Sequence, residues 1–176
     1  MITTIDVETS YQKTEAGGMD PSPFNPQNIL VSVGVNDEYY FTNHSERVDE
    51  GCYHKIQKIL DETKLLIGHN LKFDLSWLLE SGFKYDGNVY DTMIGEYILN
   101  RGIRKSLTLQ MCCQRRKIGA KDDRIKEWMD RGISFENIPA DIVEEYGKID
   151  VAITRKLFDS QMEDLRADKN KHLLKT

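Results

Sequence analysis

The chain has 176 residues, enough for one domain with a sizeable core. Hydrophobic residues at 39% and charged residues at 30% describe an ordinary globular protein, and no apolar run reaches membrane-spanning length. The net charge of −5 argues mildly against a nucleic-acid binder, yet residues 101–131 hold ten Lys/Arg against four Asp/Glu, a local +6 on a body of −11. That stretch reads equally as a phosphate-facing surface or as well-solvated helices. Met1 stands directly before the first apolar run with no basic-then-apolar leader, so a native N-terminus is expected. Cys52, Cys112 and Cys113 lack metal-ligand spacing and suit reduced thiols in a cytoplasm.

In chain order, residues 2–7 read as a strand that runs into Asp6 and Glu8. Residues 10–28 hold two glycines and three prolines and read as a long loop. A period of two places Ile29, Val31, Val33 and Val35 on one face of a strand over 29–35, and "EYYFT" at 38–42 follows a turn-like "GVND", which predicts an antiparallel meander with the first strand. Apolar residues at helical spacing predict a helix over 49–62. "KLLIGHN" predicts a short buried strand, followed by a helix over 71–81 with Leu71, Leu75 and Leu78 inward. "NVYDTMIGEYILN" predicts a strand end, an Asp91 cap, and a helix with Met93, Ile94, Tyr97 and Ile98 inward. Ser106 is expected to cap a helix through Arg116, residues 118–137 to be irregular or short-helical, and Pro139 to open a long helix to about residue 165. This is an α/β domain over 1–165 with a mixed sheet flanked by helices, and the basic tail 166–176 is expected to fray.

Four acidic positions carry chemistry. A strand points residues i and i+2 to one side, so Asp6 and Glu8 project together. Asn70 and Asp74 are four apart on a helix, as are Tyr146 and Asp150. Asp150 lies beside the apolar stripe of Ile142, Ile149 and Ile153, where an unpaired carboxylate is costly. Each motif alone has an ordinary explanation: a solvated strand end, an Asn cap, a first-turn Asp, a core Tyr.

Together and in this order, D-x-E, N-x3-D and Y-x3-D resemble the DEDDy 3′-5′ exonucleases, and above all the proofreading domain of the DNA polymerase I family. "GHNLKFD" and "YDTMIGEYILN" are similar to that family's strings, and the likeness runs from residue 2 to about 165. The resemblance implies a ribonuclease H-like fold and a two-metal hydrolysis of phosphodiesters with Mg²⁺ or Mn²⁺ on hard oxygen ligands. It implies that Asp6, Glu8 and Asp150 ligate the ion that activates water, that Asp6 bridges to a second ion, and that Asp74 acts there directly or through water. Tyr146 would orient the attacking water; with an ordinary pKa near 10 a tyrosine is a poor base at neutral pH. Asn70 is a contact to the terminal nucleotide or a brace, and Thr9 a contact to the substrate backbone. Glu145 stands where the histidine subclass carries its His.

The expected substrate is a single-stranded DNA 3′ end, released as nucleoside monophosphates in a bacterial or phage-infected cytoplasm. Residues 101–131 would track phosphates, the 10–27 loop would lie over the site, and Phe73 and Trp77 are assigned to core packing before stacking. A polymerase partner is implied, fused or separate; a stand-alone phage-type subunit is one reading and a piece of a polymerase the other. An RNase D-like RNA-processing exonuclease shares the same catalytic residues. An inactive ribonuclease H-like module that binds a polymerase is opposed by the intact carboxylates.

Overall fold

The computed structural model describes residues 1–119 and 124–167. Among the described residues, seven strands and six helices follow in order: β1 (Ile2–Thr9), β2 (Gln12–Lys13), β3 (Met19–Asp20), β4 (Leu30–Val35), β5 (Glu38–Phe41), α1 (Cys52–Glu62), β6 (Leu65–Gly68), α2 (Leu71–Glu80), β7 (Asn88–Asp91), α3 (Thr92–Leu99), α4 (Leu109–Arg116), α5 (Arg124–Asp130) and α6 (Ala140–Arg166), with a 3-10 turn at Phe135–Asn137. The main sheet has the order β5-β4-β1-β6-β7. β5, β4 and β1 form the expected antiparallel meander, whereas β6 and β7 join in parallel through helices. None of the described helices is long and apolar enough to cross a membrane. The tail beyond Ala167 lies outside the described residues.

Strand alternation sorts the core into two faces. Ile5 and Val7 of β1 and Val33 and Val35 of β4 pack with Ile56 and Leu60 of α1 and Leu71 and Leu78 of α2. Val31 is expected on the face of Val33 and Val35, but the β-bulge opposite Glu8 and Thr9 breaks the period of two there, and Val31 packs with Phe41 against Val143 and Tyr146 of α6 and Ile125 of α5. Asp6 and Glu8 alternate with Ile5 and Val7, so they point to the α6 side. Trp77 is core, 3% exposed, and its indole N–H donates to Pro21 O at 3.0 Å. That bond ties the long loop, which contains the small β2–β3 hairpin, to α2.

Two further local expectations are corrected. Helix α3 is turned the other way: Thr92, Gly95 and Glu96 are buried, while Ile94 and Tyr97 are more than half exposed. Glu96 is drawn inward by charge, accepting from Arg116 Nε at 2.8 Å and Gln161 Nε2 at 3.1 Å. Gly95 leaves room for Gln161, whose side-chain oxygen would lie 2.8 Å from an added Cβ. Helix α4 begins later than expected, because Thr108 and not Ser106 caps it, accepting from Met111 N.

Candidate active site

β1 and α6 are brought into register by two glycines. Gly34 lies opposite Asp6 on β4, and a Cβ there would stand 2.8 Å from Val151 Cγ2 of α6. On α6, a Cβ at Gly147 would run into the Tyr39 ring. With both side chains absent, α6 settles onto the sheet and carries Asp150 to the strand carboxylates. One carboxylate oxygen each from Asp6, Glu8 and Asp150 lies within 4.8 Å of the others. Glu8 is 8% exposed and Asp150 3%, while Asp6 is half-buried.

Asp74 arrives from a different direction. The β1–β6 ladder pairs Ile2, Thr3 and Thr4 and then stops. At Val7 the amide that would have faced β6 finds Asp74 Oδ1 instead, at 3.1 Å. Asp74 is 3% exposed, and burial together with the negative charge of Asp6 raises its carboxyl well above the usual carboxylate range. The Val7 amide opposes that shift without cancelling it.

Tyr146 packs its ring against Phe135 with 6.1 Å between centroids, and its hydroxyl is hydrogen-bonded to Asp150. Burial raises the phenol first, and the charges of Glu8, Asp150 and Asp6 raise it further, beyond any physiological pH. The group is therefore a neutral O–H that donates. Tyr39 has the same character: buried, raised by desolvation and by Glu8, with its hydroxyl 2.8 Å from Ser32 Oγ. Nothing in the spacing pointed to Tyr39; its place beside Glu8 follows from β-pairing of Ser32 with Glu8.

Asn70 occupies the cap position of α2 in a left-handed conformation (φ 62°, ψ 43°), and its side chain makes no cap bond. Asp91 does that work: it accepts from Asn70 N and Leu71 N, each at 3.0 Å, as well as from Met93 N at 2.8 Å in its own helix. The Asn70 side chain thus takes no part in the cap, on an exposed residue at the leading end of the helix that carries Asp74. Thr9 lies just past a β-bulge and is 6% exposed. The basic stretch is partly consumed inside the fold. Arg115 and Arg116 pair with buried Glu96, and Arg116 with Asp164, while Arg124 pairs with Glu145 at the surface. Arg101, Arg104 and Lys105 are exposed.

The family model of the 3′-5′ exonuclease of DNA polymerase A type matches residues 12–166. The chain belongs to this 3′-5′ exonuclease family. The matched region begins after Asp6 and Glu8, so the D-x-E pair is joined to it by the fold just described. DNA polymerase I of Aquifex aeolicus is 30% identical over 150 residues, covering 84% of this chain. The chain spans only 24% of that relative's length, and 12% of DNA polymerase I from Borreliella burgdorferi. Among solved structures, Brucella melitensis NrnC with bound Mg²⁺ superposes with a TM-score of 0.63 at 17% identity, over 98% of this chain and 77% of that one. The catalytic core of RRP6 from Trypanosoma brucei gives 0.57 at 16% identity, over 97% and 43%. These likenesses establish the ribonuclease H-like exonuclease fold.

Proposed function

We propose that this domain removes nucleoside monophosphates from single-stranded DNA 3′ ends with two divalent ions, proofreading for a DNA polymerase in the same or another chain. The observation that carries this reading is the convergence of Asp6, Glu8 and Asp150 oxygens within 4.8 Å, with buried Asp74 behind them. The donor set is all carboxylate oxygen, which fits Mg²⁺ or Mn²⁺ and not a soft or nitrogen-preferring metal. The Mg²⁺ in the similarly folded NrnC supports the same choice. Bound there, two such ions supply charge stabilisation for the attacking and leaving oxygens of an in-line displacement.

The protein's own residues divide the remaining work. Asp6, Glu8 and Asp150 form the hard-ligand face, and Asp74 closes it from α2. Tyr146, a neutral donor fixed by Asp150, orients a water and takes no proton from it. Asn70, exposed just ahead of Asp74 in the chain, meets the terminal nucleotide, and Thr9 the strand backbone. The catalytic unit is the 1–165 domain, and the relation to DNA polymerase I supports the polymerase partner.

The test is degradation of end-labelled oligonucleotides with Mg²⁺ against EDTA, on single-stranded, duplex and mismatched DNA and on matched RNA. Metal-dependent 3′ release that prefers unpaired DNA is expected, and Asp6→Ala should abolish it. The RNA arm decides the RNase D-like alternative. No degradation under any condition would leave the inactive binding module.

A further inference from the structure

The outward turn of α3 leaves an apolar surface that the chemistry above does not use. Val89 on β7, Ile94 and Ile98 on α3, and Met162 and Leu165 near the end of α6 line a groove of about 420 Å³. Val89 is 53% exposed, Ile94 54% and Tyr97 52%, and Ile103, just past the helix, 62%. Exposed apolar side chains are ordinary when scattered; gathered on one face they mark a contact surface. The helix cannot roll to bury Ile94, because Arg116 and Gln161 hold the Glu96 carboxylate in the interior and rolling would unpair it. β7 is also the last strand of its sheet, so its outer edge pairs with no described strand.

Exposed cations stand at one end of this groove. Arg101 follows Ile98 by one turn, its N–H donating to Ile98 O at 2.9 Å. Lys105 Nζ donates to Asn100 Oδ1 at 3.4 Å, and Arg104 lies between the two in the chain. Among the described residues none of the three makes an ion pair, unlike Arg115 and Arg116. Asp91, the carboxylate on the lining, is already held by the amides of Asn70, Leu71 and Met93.

We propose that this groove docks an extended, acidic segment of a partner protein, with its apolar side chains on Val89, Ile94 and Ile98 and its carboxylates at Arg101, Arg104 and Lys105. Charge complementarity names the occupant: three uncommitted cations border an aliphatic floor. An open strand edge takes an extended chain by main-chain pairing, and the side chains on one side of that chain then fall on the floor. A two-fold pair of this chain would set the same face against itself, cations included, with no free carboxylate on the lining to answer them. Nucleic acid would meet the cations, but bases stack on aromatic faces, and the ring on this lining, Tyr90, is packed edge-on with Phe158. The inference stands apart from the exonuclease reading, since it uses none of the carboxylates of that centre.

The experiment selects phage-displayed random short peptides on the immobilised full chain. Sequences that set Asp or Glu beside aliphatic side chains should be enriched, and the strongest is then labelled with fluorescein and titrated by anisotropy. Ile94→Asp should weaken its binding by about ten- to a hundredfold, the range for one lost buried side chain. Arg101→Glu combined with Lys105→Glu should weaken it by about tenfold at low salt, and far less at about 1 M salt, where charges are screened within about 3 Å. These side chains are exposed, so both variants should melt within about 2 °C of the unmodified protein. Lack of enrichment, enrichment of basic or uncharged sequences, or a selected peptide whose binding survives both variants overturns the proposal. Displacement of the peptide by single-stranded DNA in EDTA also overturns it, by assigning the cations to nucleic acid. Self-association in sedimentation velocity that Ile94→Asp abolishes overturns it too, by making the face a contact between copies.

Discussion

Replacing Asp150 by Asn should make the metal-free protein more stable and the enzyme inactive. Asp150 is 3% exposed, and its carboxylate oxygen lies within 4.8 Å of oxygens from Asp6 and Glu8. Two unit charges at that separation repel by roughly 3.5 kcal/mol at an effective dielectric of 20. The Tyr146 hydroxyl, donating to Asp150, offsets part of this, and an Asn oxygen can still accept that bond. A net gain of about 2 kcal/mol on removing one charge corresponds to a rise of roughly 4–8 °C in melting temperature for a domain of this size. The assay is thermal unfolding in EDTA and again with increasing Mg²⁺ or Mn²⁺. Divalent ions should raise the melting temperature of the unmodified protein and move that of Asp150→Asn much less, because binding stabilises only the state that holds the ligand set. Hydrolysis of single-stranded DNA should be lost in the same variant. A variant that melts lower than the unmodified protein in EDTA would refute the reasoning, since the carboxylates would then not be a mutually repelling set.

Further outcomes follow from the neighbouring geometry. Gly147→Ala drives a methyl group into the Tyr39 ring, and should cost about 1–3 kcal/mol of overpacking, read as a melting loss of several degrees with reduced nuclease activity. Glu96→Gln should lower stability by about 2–3 kcal/mol in a urea titration at pH 7, somewhat below the usual cost of breaking a buried pair because Arg116 keeps Asp164. Burial works against the Glu96 charge, but Arg116, Gln161 and Asn100 outweigh it and hold the carboxyl below its ordinary value of 4.5. Its stabilisation is therefore complete above that value and fades as pH falls toward the lower folded value, so the difference between Glu96→Gln and the unmodified protein should shrink below about pH 4. Tyr146→Phe should slow hydrolysis by about ten- to a hundredfold, the loss of one hydrogen bond to a charged group. Its pH profile should run parallel to that of the unmodified enzyme from pH 7 to 9, and a limb that disappears with the hydroxyl would instead make Tyr146 a base.

The four acidic positions were legible because each rests on a local period. Strand alternation pairs Asp6 with Glu8, and the i, i+4 spacing ties Asn70 to Asp74 and Tyr146 to Asp150. The meander was legible for the same reason, since β4 and β5 are separated by a short turn. Helix α3 was not. Counting apolar residues turns Ile94 and Tyr97 inward, but the partners that bury Glu96 stand at Arg116 and Gln161, 20 and 65 residues away. The cap of α2 failed similarly: Asn70 is well chosen for that position by type, yet Asp91, from the next parallel strand, satisfies the amides. The charge of residues 101–131 was legible as a sum, but its distribution was not, since Arg115 and Arg116 spend theirs on an internal network. Trp77 was read as core and is core; its bond to Pro21, 56 residues away, has no local signature.

The early end of the β1–β6 ladder gives the site a built-in spectroscopic reporter. The Val7 amide proton lies in the backbone between Asp6 and Glu8 and bonds to the side chain of Asp74. Its resonance in a nitrogen–proton correlation spectrum should move downfield when Asp74 is ionised and return when it is protonated. Because Val7 carries no reacting group, the signal can be followed without altering any of the carboxylates. One backbone proton, left over where the β1–β6 ladder stops after Thr4, thus records the charge state of Asp74 from within the constellation.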